Sequence, residues 1–325
     1  MVTNAHQVAP DIYQLRIPLP YLLNHVYCYV LRDTGGWTIM DTGLNWPDAR
    51  AAWALYFEQL GINPKTDIQK IIITHMHPDH FGMAGWLQGQ SGAPVYISGR
   101  DGNAARRVWY EWKDRVEDMR TFFQTCALPE TMMQKVLSAG NETALLTAPL
   151  PERIESINGG DQLVIGERVF SVISAPGHSD GQILFYHAPE ELLISGDHVL
   201  MKITPNIGLW PETESAPLSR YLASLTALRD LPVKLALPGH KSVIQHWQKR
   251  IEELQTHHMD RLALLQQAAS PGVNVYEATG KIFDLSRLTP HEIRFAIAET
   301  LAHLEHLHDA HLIEREDGEI FTFHG

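Results

Sequence analysis

The chain of 325 residues has only two cysteines, Cys28 and Cys126, too few and too far apart to frame a fold with disulfides. Cys28 lies in the apolar run Val26-Tyr27-Cys28-Tyr29-Val30, which reads as a buried strand. Long hydrophobic runs are missing as well. None approaches the roughly 18 residues needed to span a bilayer, and the opening Met1-Val2-Thr3-Asn4-Ala5-His6-Gln7 has neither the basic nor the apolar region of a secretory leader. A cytoplasmic protein with no membrane partner is the expectation. Positive charge is also scarce: 26 Lys+Arg against 38 Asp+Glu give a net −12, which disfavours phosphate backbones and anionic membranes as partners. An acidic substrate would therefore need a local exception. There is no Gly-x-Ser-x-Gly elbow, no catalytic-cysteine context, no phosphate-binding glycine loop and no dinucleotide fingerprint, so neither a side-chain nucleophile nor a nucleotide cofactor is signalled. Internal repeats and low-complexity tracts are absent too.

The patterning alternates strands and helices, as in a layered α/β fold. Strands are predicted at 13–19, 25–31 and 37–41, with Asp33-Thr34-Gly35-Gly36 turning the last two into a hairpin. A helix at 47–60 closes on Gly61; a buried strand at 71–74, a helix at 82–88 and a strand at 94–98 follow. Residues 101–150 change character to long helices rich in Val108, Trp109, Trp112, Met119, Phe122 and Phe123, and read as an insert. Strands resume at 153–157, 162–173, 183–187 and 191–195, then a helix at 217–229, a strand at 235–237 and a helix from 243 to about 267. Ser270-Pro271-Gly272 breaks that helix. Beyond it, Thr289-Pro290-His291-Glu292 is a capping box opening a helix to about 308, and 312–316 with 320–323 form a closing hairpin. Two helices and a ribbon have the outline of a winged-helix module. The expected division is a catalytic domain over 1–268 and a small C-terminal domain over 269–325.

What the chain does have is histidine, 18 in all, and one concentration of it. Directly after Ile71-Ile72-Ile73 comes Thr74-His75-Met76-His77-Pro78-Asp79-His80. On a strand end His75 and His77 share a face, Pro78 turns the chain, and Asp79 and His80 address a second position, an arrangement suited to two adjacent ions. Three further donors follow strands that end in small residues: His178 after Ala175-Pro176-Gly177, Asp197 after Ser195-Gly196, and His240 after Leu237-Pro238-Gly239. Strand ends of this kind can converge on one rim. Asp41, in Asp41-Thr42-Gly43, reads equally as an Asx turn and as a residue of the site. His198 points away from Asp197 in an extended chain and is left out of the donor set as a supporting or surface residue. His303, His306, His308 and His311 lack a partner carboxylate at the right offset and read as a solvated helix face. The insert's aromatics read as helix-packing core, and the early loop with Tyr21, Leu22, Leu23 and His25 as a possible pocket entrance.

The sequence His75-Met76-His77-Pro78-Asp79-His80, followed in order by His178, Asp197 and His240 and preceded by Asp41, resembles the metallo-β-lactamase superfamily, with a core similar to glyoxalase II. The resemblance covers roughly residues 10–245. It implies an αββα sandwich with a dinuclear centre at one edge: His75, His77 and His178 on one metal, Asp79, His80 and His240 on the other, Asp197 bridging, and Asp41 orienting the site. The last segment, with Ala302-His303-Leu304-Glu305-His306-Leu307 and Asp317-Gly318, is similar to the winged-helix appendage of some of these hydrolases.

What this implies is a hydrolase in which two divalent metal ions, Zn²⁺ first with Fe²⁺ or Mn²⁺ as alternatives, activate a hydroxide. Asp79 is the candidate proton acceptor. A small ester, thioester or lactone is the expected substrate, and a homo-oligomer is possible. A nuclease or phosphodiesterase acting on RNA is the first alternative, disfavoured because residues 246–325 carry 7 Lys+Arg against 13 Asp+Glu. A winged-helix interaction protein with an inactive core is the second, and it would require missing donors.

Overall fold

The computed structural model describes residues 4–325, so Met1, Val2 and Thr3, on which part of the leader reading rests, lie outside the described residues. Two sheets form its centre. The first runs in spatial order β1 (His6–Ala9), β2 (Ile12–Pro18), β3 (His25–Asp33), β4 (Gly36–Met40), β5 (Ile68–Ile72), β6 (Val95–Ile97) and β7 (Ile154–Ser156). It is antiparallel from β1 to β4 and parallel from β4 onward. The second contains β8 (Gln162–Ile165), β9 (Arg168–Ser174), β10 (Ile183–His187), β11 (Leu192–Gly196) and β12 (Leu235–Pro238), in the order β12-β11-β10-β9-β8.

The two-residue period of the strands sorts their side chains into layers. Tyr29, Leu31, Met40, Ile72, Ile183, Phe185, Ile194 and Leu237 belong to the cluster between the sheets. Their sequence neighbours Val30, Ile39, Ile71, Leu184, Leu193 and Ala236 belong to the outer cluster shared with the helices. Each fully buried aliphatic side chain contributes roughly 1.5–3 kcal/mol, and a one-residue slip would turn both sets to the wrong layer. The result is an αββα sandwich.

On the first sheet lie α1 (Pro47–Leu60), the short α2 (Pro64–Asp67), the single turn α3 (Pro78–Phe81) and α4 (Ala84–Ser91). The insert comprises α5 (Gly99–Ala105), a π-helical turn at Arg106–Tyr110, α6 (Trp112–Thr125) and α7 (Glu130–Leu145). Trp109, Trp112, Phe122 and Phe123 are buried within it, as packing residues should be. α8 (Pro217–Leu228) and α9 (Trp247–Ala269) cover the second sheet. After them come α10 (Val275–Ile282), α11 (Pro290–Asp309) and a third sheet of β13 (Val273–Asn274), β15 (Thr322–His324) and β14 (Glu314–Glu316), in that spatial order. Among the described residues no helix is long and apolar enough to cross a membrane.

Several expectations need correction. The strand expected over 162–173 is a hairpin, because Gly166 takes a left-handed φ of +58° and reverses the chain between β8 and β9. The helix expected from 243 starts at Trp247, since Ile244 is still extended and bridges Ala236. The expected solvated histidine face of α11 is not solvated at His303, which is fully buried with its Nδ1 donating to the Glu299 carbonyl at 2.7 Å and its Nε2 3.0 Å from His258 Nδ1. α11 packs against α7, α8, α9 and α10, so more than one of its faces is covered.

Candidate metal centre

Parallel neighbours in a sheet end on the same side, and here those ends meet. β4 and β5 run parallel in one sheet and β11 and β12 in the other. β9 ends beside the start of β10, which is the edge where β11 also ends. Backbone bonds lace the rim: the Ile183 N–H donates to Thr74 at 3.0 Å, that of Gly239 to Gly196 at 2.9 Å and that of Tyr27 to Gly239 at 2.6 Å. All seven donors singled out in the sequence therefore arrive at one place. His75, His77 and His178 lie together, as do Asp79, His80 and His240, and His75, His80 and Asp197 link the two groups, the ligand atoms of each set falling within 4.8 Å of one another. Asp197 is central: its Oδ1 is 3.4 Å from His80 Nε2 and its Oδ2 is 3.3 Å from His240 Nε2 and 3.8 Å from His178 Nε2.

Four of the five imidazoles are anchored through Nδ1, which leaves Nε2 facing the centre. His80 Nδ1 donates to Asp41 Oδ2 at 2.8 Å, His178 Nδ1 to the Asn206 carbonyl at 2.8 Å, and His240 Nδ1 to the His25 carbonyl at 2.9 Å. His75 Nδ1 is 2.9 Å from Thr74 Oγ1, which donates in turn to Asp41 Oδ2 at 2.9 Å. His77 is reversed, with Nδ1 2.8 Å from His178 Nε2. An anchored Nδ1–H fixes the tautomer that offers Nε2 as a lone pair, the usual arrangement behind metal-binding histidines.

The residual atoms pass a test of fit to a metal. His75 Nε2, His80 Nε2 and Asp197 Oδ1 are buried without any hydrogen-bond partner, a costly state unless a cation shares them. Electrostatics agree. Burial and then neighbouring imidazoles hold His75 and His77 well below the ordinary histidine range. Burial alone would push Asp79 and Asp197 up, but His80 and His240 hold both carboxylates down. Those carboxylates in turn overcome burial to raise His80, with help from Asp41, and to lift His240 to about 9. A cluster of five imidazoles and two carboxylates suits Zn²⁺, Fe²⁺ or Mn²⁺.

Asp41 is a site residue rather than a simple turn: its Oδ1 also accepts from the Thr74 N–H at 2.8 Å. Gly239 is equally constrained, since a Cβ there would lie 2.4 Å from Asp197 Oδ1 and 2.5 Å from His80 Cε1. His198 is not among the donors; it is buried, its Nε2 2.7 Å from Ser224 Oγ.

The sequence reading missed Asp101, which it took only as the first residue of the insert. Its carboxylate accepts from the Met76 N–H at 2.8 Å, Ser179 Oγ at 2.7 Å and the Gly181 N–H at 2.7 Å, tying the loop of His77 to that of His178. Burial outweighs these bonds and raises it to about 6. No local pattern marks it; only the small Ser179 and Gly181 near His178 hint at a buried acceptor. Trp109 braces the same loop by donating to the Met76 carbonyl at 2.9 Å.

A two-sheet sandwich with this rim of donors defines the class, a metallo-hydrolase. The chain belongs to the metallo-β-lactamase superfamily, whose family model matches residues 22–240; a model of the metallo-β-lactamase-like C-terminal domain matches 262–324. It is similar to a crystal structure of a metallo-β-lactamase family protein from Thermus thermophilus, at 32% identity over 98% of this chain and 99% of that one, with a TM-score of 0.87. A probable metallo-hydrolase of Bacillus subtilis is 26% identical over 75% of each chain. A hydroxyacylglutathione hydrolase of Albidiferax ferrireducens is 25% identical over 66% of this chain and 61% of its own length.

Proposed function

We propose that the protein holds two divalent ions, Zn²⁺ ahead of Fe²⁺ or Mn²⁺, and hydrolyses a small ester, thioester or lactone. His75, His77 and His178 would hold one ion and Asp79, His80 and His240 the other, with Asp197 shared. The observation that carries this reading is the anchoring of four imidazoles through Nδ1 around buried, unpartnered donor atoms. When bound, such a pair supplies an activated water and polarises a carbonyl. The chain's own contribution is positioning. Asp41 and Thr74 fix His80 and His75, Asp101 holds the two histidine loops together, and Asp79, with a side chain 20% exposed, is the carboxylate placed to accept or relay a proton. The likeness to a hydroxyacylglutathione hydrolase supports acyl transfer to water.

We assign residues 269–325 to a winged-helix-like unit, on its two helices and three-stranded sheet. Its net negative charge speaks against RNA as a substrate, and the full donor set speaks against an inactive core. Two buried free cysteines fit a cytoplasmic address.

The test is a panel of aryl esters, thioesters, lactones and phosphodiesters, assayed after loading with Zn²⁺, Mn²⁺ or Fe²⁺. Turnover of an acyl substrate that is lost in His77→Ala and Asp197→Ala supports the proposal. Turnover of phosphodiesters or RNA alone overturns it.

A further inference from the structure

Arg294, in the second turn of α11, is 5% exposed, yet among the described residues no acceptor meets any of its N–H groups, and its Nε is wholly buried and unpartnered. The well-shielded arginines Arg115, Arg250 and Arg261, with side chains 12–13% exposed, are paired with Glu212, Glu253 and Glu299. Arg294 has only the Phe295 ring, its guanidinium carbon 4.7 Å from the centroid. A ring face supplies no counter-charge, and a buried unpaired cation is a standing cost to the fold.

Its position suggests what that cost serves. The guanidinium passes over Gly140 of α7, where a Cβ would stand 3.3 Å from Nη1. Beside it, Tyr21 stacks on His291 with centroids 4.2 Å apart and planes 12° from parallel, and the Tyr21 hydroxyl is 3.2 Å from Thr143 Oγ1. His291 Nδ1 is a second buried atom without a partner. Tyr21 and His291 each feel both Arg294 and Asp79 electrostatically, so the stack lies near the guanidinium and near the metal centre. Burial lowers Arg294 only to about 10, which leaves it charged at neutral pH.

We propose that Arg294 is a recognition site for a carboxylate carried by the substrate, away from the bond that is cleaved, with the Tyr21–His291 stack beside it. The substrate part of this inference rests on the acyl-hydrolase reading above. The planar fork can meet a carboxylate or a phosphate with two parallel bonds, and a carboxylate is the better match in charge because Arg294 is the one cation that acts on both Tyr21 and His291 beside it. One positive charge answers one negative charge. This is the local exception that an acidic substrate requires on a chain of net charge −12.

Two arms test it. In the first, metal-free protein is melted with sodium propionate or with propionamide at matched ionic strength. Wild type should be stabilised by propionate only, and Arg294→Met should lose that response while melting no lower than wild type without ligand. In the second, metal-loaded enzyme is given a thioester pair differing only in a terminal carboxylate. Arg294→Met should cut kcat/KM for the carboxylate member by roughly tenfold to a hundredfold and spare the neutral member, with Arg294→Lys intermediate. Equal loss on both substrates, or a wild-type melting point that propionate leaves unmoved, overturns the proposal. Should no thioester or ester be hydrolysed at all, the acyl-hydrolase reading fails, while the metal-free arm still decides the role of Arg294.

Discussion

Substituting Asp41 by Asn turns one oxygen, Oδ2, from an acceptor of two hydrogen bonds into a donor. Asp41 takes φ +58°, a left-handed conformation that Asn adopts about as readily as Asp, so the backbone is not strained and the side-chain shape is preserved. Oδ1 accepts from the Thr74 N–H at 2.8 Å, and Oδ2 accepts from both Thr74 Oγ1 at 2.9 Å and His80 Nδ1 at 2.8 Å. An Asn that keeps its oxygen on the Thr74 amide must turn its NH₂ toward His80. Nδ1 then has to accept, the proton moves to Nε2, and the lone pair that faces Asp197 and Asp79 is gone. Restoring it sets two donors against each other. Loss of such a supporting partner weakens metal affinity by about 10- to 100-fold, or 1.4–2.7 kcal/mol. The loss should be larger for the ion assigned to His80, whose Nδ1 loses its direct partner, than for the one assigned to His75, His77 and His178, which Asp41 Oδ2 reaches only through Thr74 Oγ1. Chelator competition with Zn²⁺ or Co²⁺ should therefore resolve two affinities in wild type and an unequal loss in the variant, larger at one ion than at the other. Two unchanged affinities, or equal weakening of both, would refute the tautomer argument.

Gly239→Ala should keep its circular dichroism and lose most metal and activity, because its Cβ would lie 2.4 Å from Asp197 Oδ1; normal metal content would contradict this. Two buried carboxylates should give opposite pH slopes of stability, measured by urea unfolding. Asp101 has a folded pKa raised to about 6 by burial, so the folded state binds its proton more tightly and its contribution declines from about pH 4 to 6; Asp101→Asn should remove that decline. Asp33 is pushed up by burial but held lower by Lys70, Thr38 and the N–H groups of Gly166 and Thr34, so its contribution is present above the ordinary Asp range and lost as pH falls through its folded pKa. Asp33→Ala should cost about 2–4 kcal/mol at neutral pH, and a loss that persists undiminished well below pH 3 would count against this assignment. Thr289→Ala removes the cap of α11, whose oxygen accepts from the Glu292 N–H at 3.3 Å, and should cost about 1 kcal/mol; no change in the unfolding midpoint would mean that tertiary packing alone holds the helix.

The candidate donors were legible because His75, His77, Asp79 and His80 crowd together directly after an apolar strand and His178, Asp197 and His240 each follow a strand that ends in small residues, local patterns that survive without knowing the fold. The layers were legible for the same reason, since a strand covered on both faces announces itself as a run such as Ile71-Ile72-Ile73. What was not legible depends on surfaces far apart in the chain. Gly166 is one glycine in an otherwise continuous strand pattern, and β13 is two residues long, recognisable only by its pairing with β15. Asp101 gains its meaning from residues some eighty positions later.

α11 makes the point most sharply, because its sequence implies one apolar stripe and its surroundings bury more than one face. His303 reaches His258, Glu299 bonds Asn206 and Arg261, and Phe295 sits 5.8 Å from Trp210. Polar groups at these positions could only be read as solvated until their partners on α9 and on the segment before α8 were known. Glu299 and His303 have such partners, and that is the physical reason Arg294 stands out: on a helix where a buried carboxylate and a buried imidazole are answered from within the protein, the unanswered cation is aimed at something the protein does not contain.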